Sequence, residues 1–158
     1  MKKVIDKAES RGRALYDWLD SHHTFSFDTY YNPRRMNFGA LRVLNDDRVE
    51  AGKGFGTHPH KNMEIISIPL KGKLKHGDSN KNNRTITIGD IQTMSAGTGI
   101  YHSEMNGSDT EPVEFLQIWV MPEKLNATNM VLHRRNRGGK EDRLSHAPIP
   151  RRRVYLRD

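Results

Sequence analysis

The apolar positions of this chain recur with the two-residue period of strands, in short runs separated by turn residues. Thr24-Phe-Ser-Phe27 alternates and predicts a strand. Phe38-Gly-Ala-Leu-Arg-Val-Leu44 predicts a second, ended by the turn chemistry of Asn45-Asp46-Asp47, with a short return strand from Arg48 to Ala51. Glu64-Ile-Ile-Ser-Ile-Pro-Leu70 is rich in β-branched residues. Pro69 cannot donate to a ladder, so it belongs at a strand end or edge. Lys71-Gly72-Lys73 signals a hairpin into a strand over 74–78, and Ser79 to Asn83 is a polar turn. Arg84-Thr-Ile-Thr-Ile88 alternates cleanly, Ile91 to Ser95 follows, and Val113 to Met121 is the longest apolar run and a central strand closed by Pro122. Residues 2–23 mix residue types too finely to predict an element, but Trp18 is expected to pack on the core. No amphipathic helix is predicted between residues 24 and 122. Short strands with turns roughly every eight to twelve residues predict an all-β single domain, a sandwich or barrel with a cavity lined from its inward faces.

Composition narrows the chemistry. With 158 residues the chain is long enough for one domain with a real core. It has no cysteine, which removes disulfides, thiolate metal sites and cysteine nucleophiles, so a transition metal would have to use His, Asp or Glu. No apolar run reaches the length of about eighteen residues needed for a spanning helix, and the N-terminus lacks the apolar core of a secretory signal; a cytoplasmic protein without a membrane partner is expected. The net charge of +7 suggests nucleic acid, but residues 126–158 hold nine Lys/Arg against three acids. The remainder is close to neutral, so no nucleic-acid contact is expected from the domain itself.

Two stretches stand out against this background. Gly52-Lys-Gly-Phe-Gly-Thr-His58-Pro-His60 places two histidines two positions apart, and Gly97-Thr-Gly-Ile-Tyr-His102-Ser-Glu104 repeats the spacing. On a strand, residues two apart share a face and lie about 6.5–7 Å apart at the backbone, close enough to converge on one ion. Three imidazoles and one carboxylate suit a divalent first-row ion (Fe, Mn, Co, Ni, Cu or Zn) and leave the open positions that catalysis needs. Glu64 has the parity of His58 and His60 and competes with Glu104 as the carboxylate ligand; spacing alone leaves both open. The glycines at 52, 54 and 56 lack the Lys-Ser/Thr of a phosphate loop and the following helix of a dinucleotide fingerprint, so they read as backbone bends. His22 and His23 are adjacent and would point to opposite faces of a strand, which favours hydrogen-bonded or surface histidines over a metal pair. Phe55 and Met63 flank the first motif and read as core.

The spacing Gly52-x5-His58-x-His60-x3-Glu64 resembles the first cupin motif. Gly89-x5-Ser95-x-Gly97-x4-His102-x3-Asn106 resembles the second, with Ser95 where proline is usual. The surrounding words Trp18-Leu-Asp-Ser-His-His-Thr-Phe-Ser-Phe27, Leu41-Arg-Val-Leu-Asn-Asp-Asp47, Met94-Ser-Ala-Gly-Thr-Gly-Ile-Tyr-His-Ser-Glu104 and Gln117-Ile-Trp-Val-Met-Pro122 are similar to the N-terminal domain of the pirin family, closest to its bacterial quercetin 2,3-dioxygenases, over roughly residues 8–125. The resemblance implies a cupin fold, a double-stranded β-helix or jelly-roll barrel, over residues 1–125. It implies His58, His60, His102 and Glu104 as ligands of one metal, Fe(II) first, and moves Glu64 to a supporting role behind the ligands. The implied activity is oxidative ring opening of a flavonol such as quercetin with O2 and release of carbon monoxide. Glu104, the one carboxylate in that ligand set, is the candidate catalytic residue to take the substrate proton, and a small aromatic substrate and O2 are the expected partners. The alternatives are an iron-binding redox sensor that acts as a transcription cofactor, or an inactive truncated fragment. The resemblance ends near Asn126. Residues 126–158 are basic, and are expected to be a disordered tail or non-native sequence from a shifted reading frame. A second cupin domain, usual in the family, is expected to be absent, and surface it normally covers is expected to favour self-association.

Overall fold

The structure is a computed structural model that describes residues 5–135. Among them eleven strands carry the fold: β1 (Gly12–Tyr16), β2 (Leu19–His23), β3 (Leu41–Val49), β4 (Gly54–His60), β5 (Glu64–Lys71), β6 (Lys73–Asp78), β7 (Asn83–Thr87), β8 (Asp90–Ser95), β9 (Ile100–Asn106), β10 (Val113–Val120) and β11 (Met130–Arg135). The only helical element described is a 3-10 turn at Ala8–Ser10. The strands form a seven-stranded sheet, ordered β1-β2-β3-β10-β5-β8-β11, and a four-stranded sheet, ordered β4-β9-β6-β7. Every pairing is antiparallel, and the expected all-β jelly-roll of the cupin type is what the chain adopts.

The alternating pattern that predicted β5 to β10 works because each of these strands buries one face. Val113 and Phe115 on the central β10 are fully buried, as are Leu74 and Ile86 on the facing sheet. With Leu19 and Val49 they form one apolar cluster; Ile65, Met94, Ala96 and Ile100 form a second. Trp18 packs against the first cluster, as expected. Met63 packs against the second. Pro69 sits in β5 beside a register shift of β10 between Glu114 and Phe115, where a missing donor is tolerated.

Four expectations change. Residues 12–23, which predicted nothing, form the β1–β2 hairpin at the sheet edge. Thr24–Phe27 lies beyond β2 and contributes only an isolated bridge, Phe27 to Tyr30. Asn45-Asp46-Asp47 is not a turn. It continues β3, because β2 and β10 flank it on both sides and pair with all three residues. Their inward side chains also find partners that turn statistics cannot foresee. Finally, the segment from 126 onward is not tail from its first residue. Met130–Arg135 pairs with β8 over six residues, since Met-Val-Leu-His alternates exposed and half-buried positions along an otherwise open sheet edge. The rest of the expected tail, residues 136–158, lies outside the described residues.

One row of residues organises the interior. Reading the ladder registers across the larger sheet, His23, Asn45, Gln117, Ser67, Gln92 and His133 stand side by side on β2, β3, β10, β5, β8 and β11. This polar row crosses the sheet between the two apolar clusters and faces the smaller sheet.

Candidate metal centre

The smaller sheet supplies the histidines. In the β4–β9 pair, His58 stands opposite His102, and Phe55 stands opposite Glu104. The register shifts between Phe55 and His58, so one extra residue is inserted around Gly56 and Thr57. Without that bulge Phe55 and His58 would face opposite sides; with it both turn inward. Gly54 makes the approach of β4 to β9 possible, because a Cβ there would meet the Glu104 carbonyl oxygen and the Met105 Cα, each at 2.5 Å. Pro59, between the two histidines, is tolerated because β4 is the edge of its sheet.

The three rings converge. Centroids of His58 and His102 are 4.5 Å apart, and His60 lies 4.8 Å from each. His58 Nδ1–H donates to the Gly56 carbonyl at 2.7 Å, which leaves Nε2 as the lone-pair nitrogen, and that atom lies 3.0 Å from His102 Nε2. His102 is buried and its Nδ1 has no partner among the described residues. Burial, then the neighbouring His58, lowers the His60 pKa to about 4. Burial, then His58 and His60, lowers that of His102 to about 2. These two imidazoles are therefore neutral near pH 7, which is the form that binds metal.

Glu104 sits apart from the histidines of β4. Its ligand oxygen clusters within 4.8 Å with ring nitrogens of His102 and His76, while His58, His60 and His102 form the other such cluster. His102 belongs to both. The Glu104 carboxylate is buried and held by the larger sheet: it accepts from Ser67 Oγ at 2.6 Å and from Gln117 Nε2. Burial raises its pKa, against the opposing hydrogen bond of Ser67. The donor set of neutral imidazoles and a carboxylate fits a divalent first-row ion, and converging ring nitrogens with no proton donor of their own between them are what such an ion would satisfy.

Glu64 lies elsewhere. It starts β5, opposite Ser95 of β8, and accepts the Ser95 hydroxyl bond; it lines no part of the cavity described below. This is a strand-pairing contact, not a contact behind a metal ligand. His22 and His23 do face opposite sides. His23 is fully buried, with Nδ1 donating to Asn45 Oδ1 at 2.9 Å, and His22 is half-buried near Asp20.

Several residues went unnoticed in the sequence. His76 and Asp78 on β6 stand opposite Glu104 and His102. Gln92 Nε2 donates to His76 Nδ1 at 3.0 Å, so His76 Nε2–H donates to Asp78 Oδ2 at 2.9 Å, and His133 donates to Gln92 Oε1 at 2.8 Å. The signal was present as His76-x-Asp78 with strand parity, and as lone polar residues, Ser67 and Gln117, inside apolar runs.

A cavity of about 410 Å³ opens over the centre, within the range of small-molecule sites. His58, His60, His102 and Glu104 line it, and Trp18, Phe27, Phe55, Ile65 and Trp119 form much of its apolar wall. Trp119 meets His60 edge to face at 4.9 Å, and Phe55 meets Trp18 likewise at 5.3 Å. Phe55 thus packs on the core and also walls the cavity.

Known proteins resemble this chain in sequence and in fold. The family model described as Pirin matches residues 4–120. A quercetin 2,3-dioxygenase of Escherichia coli K12 is 55% identical over 131 residues, which cover 83% of this chain and 57% of that protein. The crystal structure of the bacterial pirin YhhW of Escherichia coli in complex with nickel(II) superposes with a TM-score of 0.80 at 54% identity, covering 82% of this chain and 56% of that one. The cupin domain of Cnp3 from Schizosaccharomyces pombe, 15% identical, shares the fold alone, with a TM-score of 0.54 over 75% of this chain and 74% of that domain. The chain spans a little over half the length of the curated Escherichia coli relative.

Proposed function

The chain belongs to the pirin family, and from that premise we propose that it carries a metal-dependent dioxygenase site that opens the oxygenated ring of a flavonol such as quercetin. The observation that carries this reading is the convergence of His58, His60 and His102 on the floor of an aromatic-walled cavity, with Glu104 beside His102. His58, His60, His102 and Glu104 would hold the ion. Fe(II) is our first choice, and the nickel(II) complex of the Escherichia coli pirin shows that a relative accepts another divalent ion. When bound, the ion supplies Lewis acidity that lowers the pKa of a coordinated hydroxyl and redox chemistry toward O2.

The protein's own groups do the rest. Trp18, Phe27, Phe55 and Trp119 flank a flat aromatic substrate and keep bulk water from the reacting ring. Glu104 clusters with His102 and lines the cavity, and accepts the proton of the substrate's 3-hydroxyl at a carboxylate oxygen. Ser67 donates to Oε1 and Gln117 to Oε2, which together fix where the carboxylate points, and burial raises its affinity for the proton. The overall reaction balances with one O2 taken up per flavonol. Two ring bonds break, the carbon that bore the 3-hydroxyl leaves as carbon monoxide with its own oxygen, and the two atoms of O2 end one in the carbonyl of the resulting phenolic ester and one in the carboxylic acid formed at the other cleaved position.

Anaerobic loading with Fe(II), followed by oxygen uptake and carbon monoxide detection with quercetin, tests the reading. Uptake matched by carbon monoxide is expected. Stoichiometric metal without uptake would replace the enzyme by a redox sensor or an inactive fragment.

A further inference from the structure

The cavity holds a second buried carboxyl group that the metal centre does not use. Asp47 is 2% exposed and lines the cavity from β3 of the larger sheet, whereas the histidines rise from the smaller one. Across the β2–β3 ladder it stands opposite Ser21, which is equally buried and also lines the cavity. The Ser21 hydroxyl donates to Asp47 Oδ1. Among the described residues no donor reaches Oδ2, and no basic side chain pairs with the carboxyl. Trp18, Leu19 and Phe55 supply apolar wall of the same cavity, Phe115 is the ladder neighbour on β10, and the charges that act on the group, those of Glu104 and Asp46, are of its own sign.

An unpaired carboxyl in such a place is destabilising, and the group serves no packing purpose that valine or leucine would not serve better. It belongs to neither group of clustered histidines and carboxylates. What it offers is one oxygen, Oδ2, with no donor among the described residues, on a side chain that lines a cavity of ligand size while Oδ1 is held in place by Ser21. A buried carboxyl pinned on one oxygen suits recognition of a single hydroxyl. It accepts the hydroxyl proton when ionised, and donates to the hydroxyl oxygen when protonated.

We propose that Asp47, positioned by Ser21, is a specificity-determining residue that binds a ring hydroxyl of the aromatic substrate on the side of the cavity provided by the larger sheet, apart from the hydroxyl that faces the metal centre. This rests on the flavonol reading above and sharpens it: the preferred substrate carries at least two hydroxyls, one for each side of the cavity. A polyhydroxylated flavonol is selected over one bearing the 3-hydroxyl alone because the latter leaves Oδ2 buried and unpaired.

The test is anaerobic binding of quercetin and of 3-hydroxyflavone to the metal-loaded full chain, followed by the fluorescence of Trp18 and Trp119, which both line the cavity. Wild type is compared with Asp47→Asn and Asp47→Ala, with metal content and far-ultraviolet circular dichroism measured on each. Wild type is expected to prefer quercetin. In Asp47→Ala the quercetin Kd should rise about tenfold while that for 3-hydroxyflavone changes less than about twofold, so the preference collapses; Asp47→Asn, which keeps the shape and a hydrogen-bonding group, should fall between. Equal weakening of both ligands, or an undiminished preference in Asp47→Ala, overturns the assignment while leaving the flavonol reading intact. Failure of wild type to bind either flavonol overturns the flavonol reading and the assignment with it. If Asp47→Ala loses its fold, Asp47→Asn decides by the same criterion, with any loss of preference beyond about twofold counted in favour.

Discussion

The same carboxyl makes a prediction about stability that needs no ligand. Burial pushes the Asp47 pKa up to about 7 from an ordinary 3.8; the Ser21 hydrogen bond opposes the shift, and the charges of Glu104 and Asp46 add to it. The sign follows from which state holds the proton. Below about pH 4 Asp47 is protonated folded and unfolded, and the penalty is absent. As pH rises the unfolded chain releases this proton first, so stability falls until the folded group ionises near pH 7, and is then flat. A shift from 3.8 to about 7 corresponds to about 4 kcal/mol over the whole range at ~1.4 kcal/mol per pKa unit, and relaxation of the protein around the charge makes this an upper bound. Between pH 5 and pH 8 about 2–3 kcal/mol of it remains to be lost. Asp47→Asn removes the ionisation and keeps an acceptor for Ser21. Urea unfolding of both proteins in the presence of a chelator, at half-unit steps from pH 5 to 8, should show the variant gaining on wild type as pH rises, by about 2 kcal/mol or more at pH 8. Glu104 is present in both proteins, and its charge enters the difference through the repulsion it adds to Asp47. A gap that does not change with pH, or one that narrows, would refute the claim that the burial of Asp47 governs its ionisation.

Three further outcomes follow from the geometry. Glu104→Gln should lower metal affinity at least about tenfold, whereas Glu64→Gln, which touches only the Ser95 contact, should stay within about twofold by chelator competition; the reverse pattern would make Glu64 the ligand. Gly54→Ala forces a methyl into the backbone of β9 and should destabilise the fold by about 1–3 kcal/mol in chemical denaturation while also weakening metal binding, since β4 and β9 carry the histidines together. Phe115→Ala, at a fully buried position of the central strand, should cost about 3–5 kcal/mol in the same assay.

Much of this was legible in the chain because strand alternation reports burial directly. Glu64–Lys71, Asp90–Ser95 and Val113–Val120 each bury one face and appear close to where the pattern put them. The pattern failed where inward positions are polar. Leu19, Ser21 and His23, and then Val43, Asn45, Asp47 and Val49, face the interior on β2 and β3, so four of these seven positions carry turn-forming or ionisable residues. Local statistics read Asn45-Asp46-Asp47 as a turn; the ladders on both sides and the Ser21 and His23 hydrogen bonds outweigh them. The histidine pairs were legible from spacing. The bulge between Phe55 and His58 was not, although it turns both side chains inward, because a one-residue insertion in a ladder depends on the partner strand. Met130–Arg135 was hidden by its charge: arginines at 134 and 135 made an edge strand look like tail.

The polar row across the larger sheet explains why the two sheets must be considered together. Six polar side chains in line through the middle of a barrel are tolerable only if each finds a partner, and most of theirs are either one another or residues of the smaller sheet. Gln92 reaches His76; Ser67 and Gln117 reach Glu104. The strands that carry the histidines belong to the smaller sheet, while the carboxylate takes its hydrogen bonds from the larger one. That division predicts a separable defect. Ser67→Ala removes one of two donors to Glu104 and touches no histidine, so the fold and the three-ring cluster persist while Glu104 is free to turn. Metal affinity should then fall by roughly tenfold, the size expected when a ligand loses its orienting partner, with an unchanged near-ultraviolet circular dichroism spectrum. If Ser67→Ala bound metal as tightly as wild type, the carboxylate would be positioned by its own strand, and the row would be no more than a way of burying polar groups.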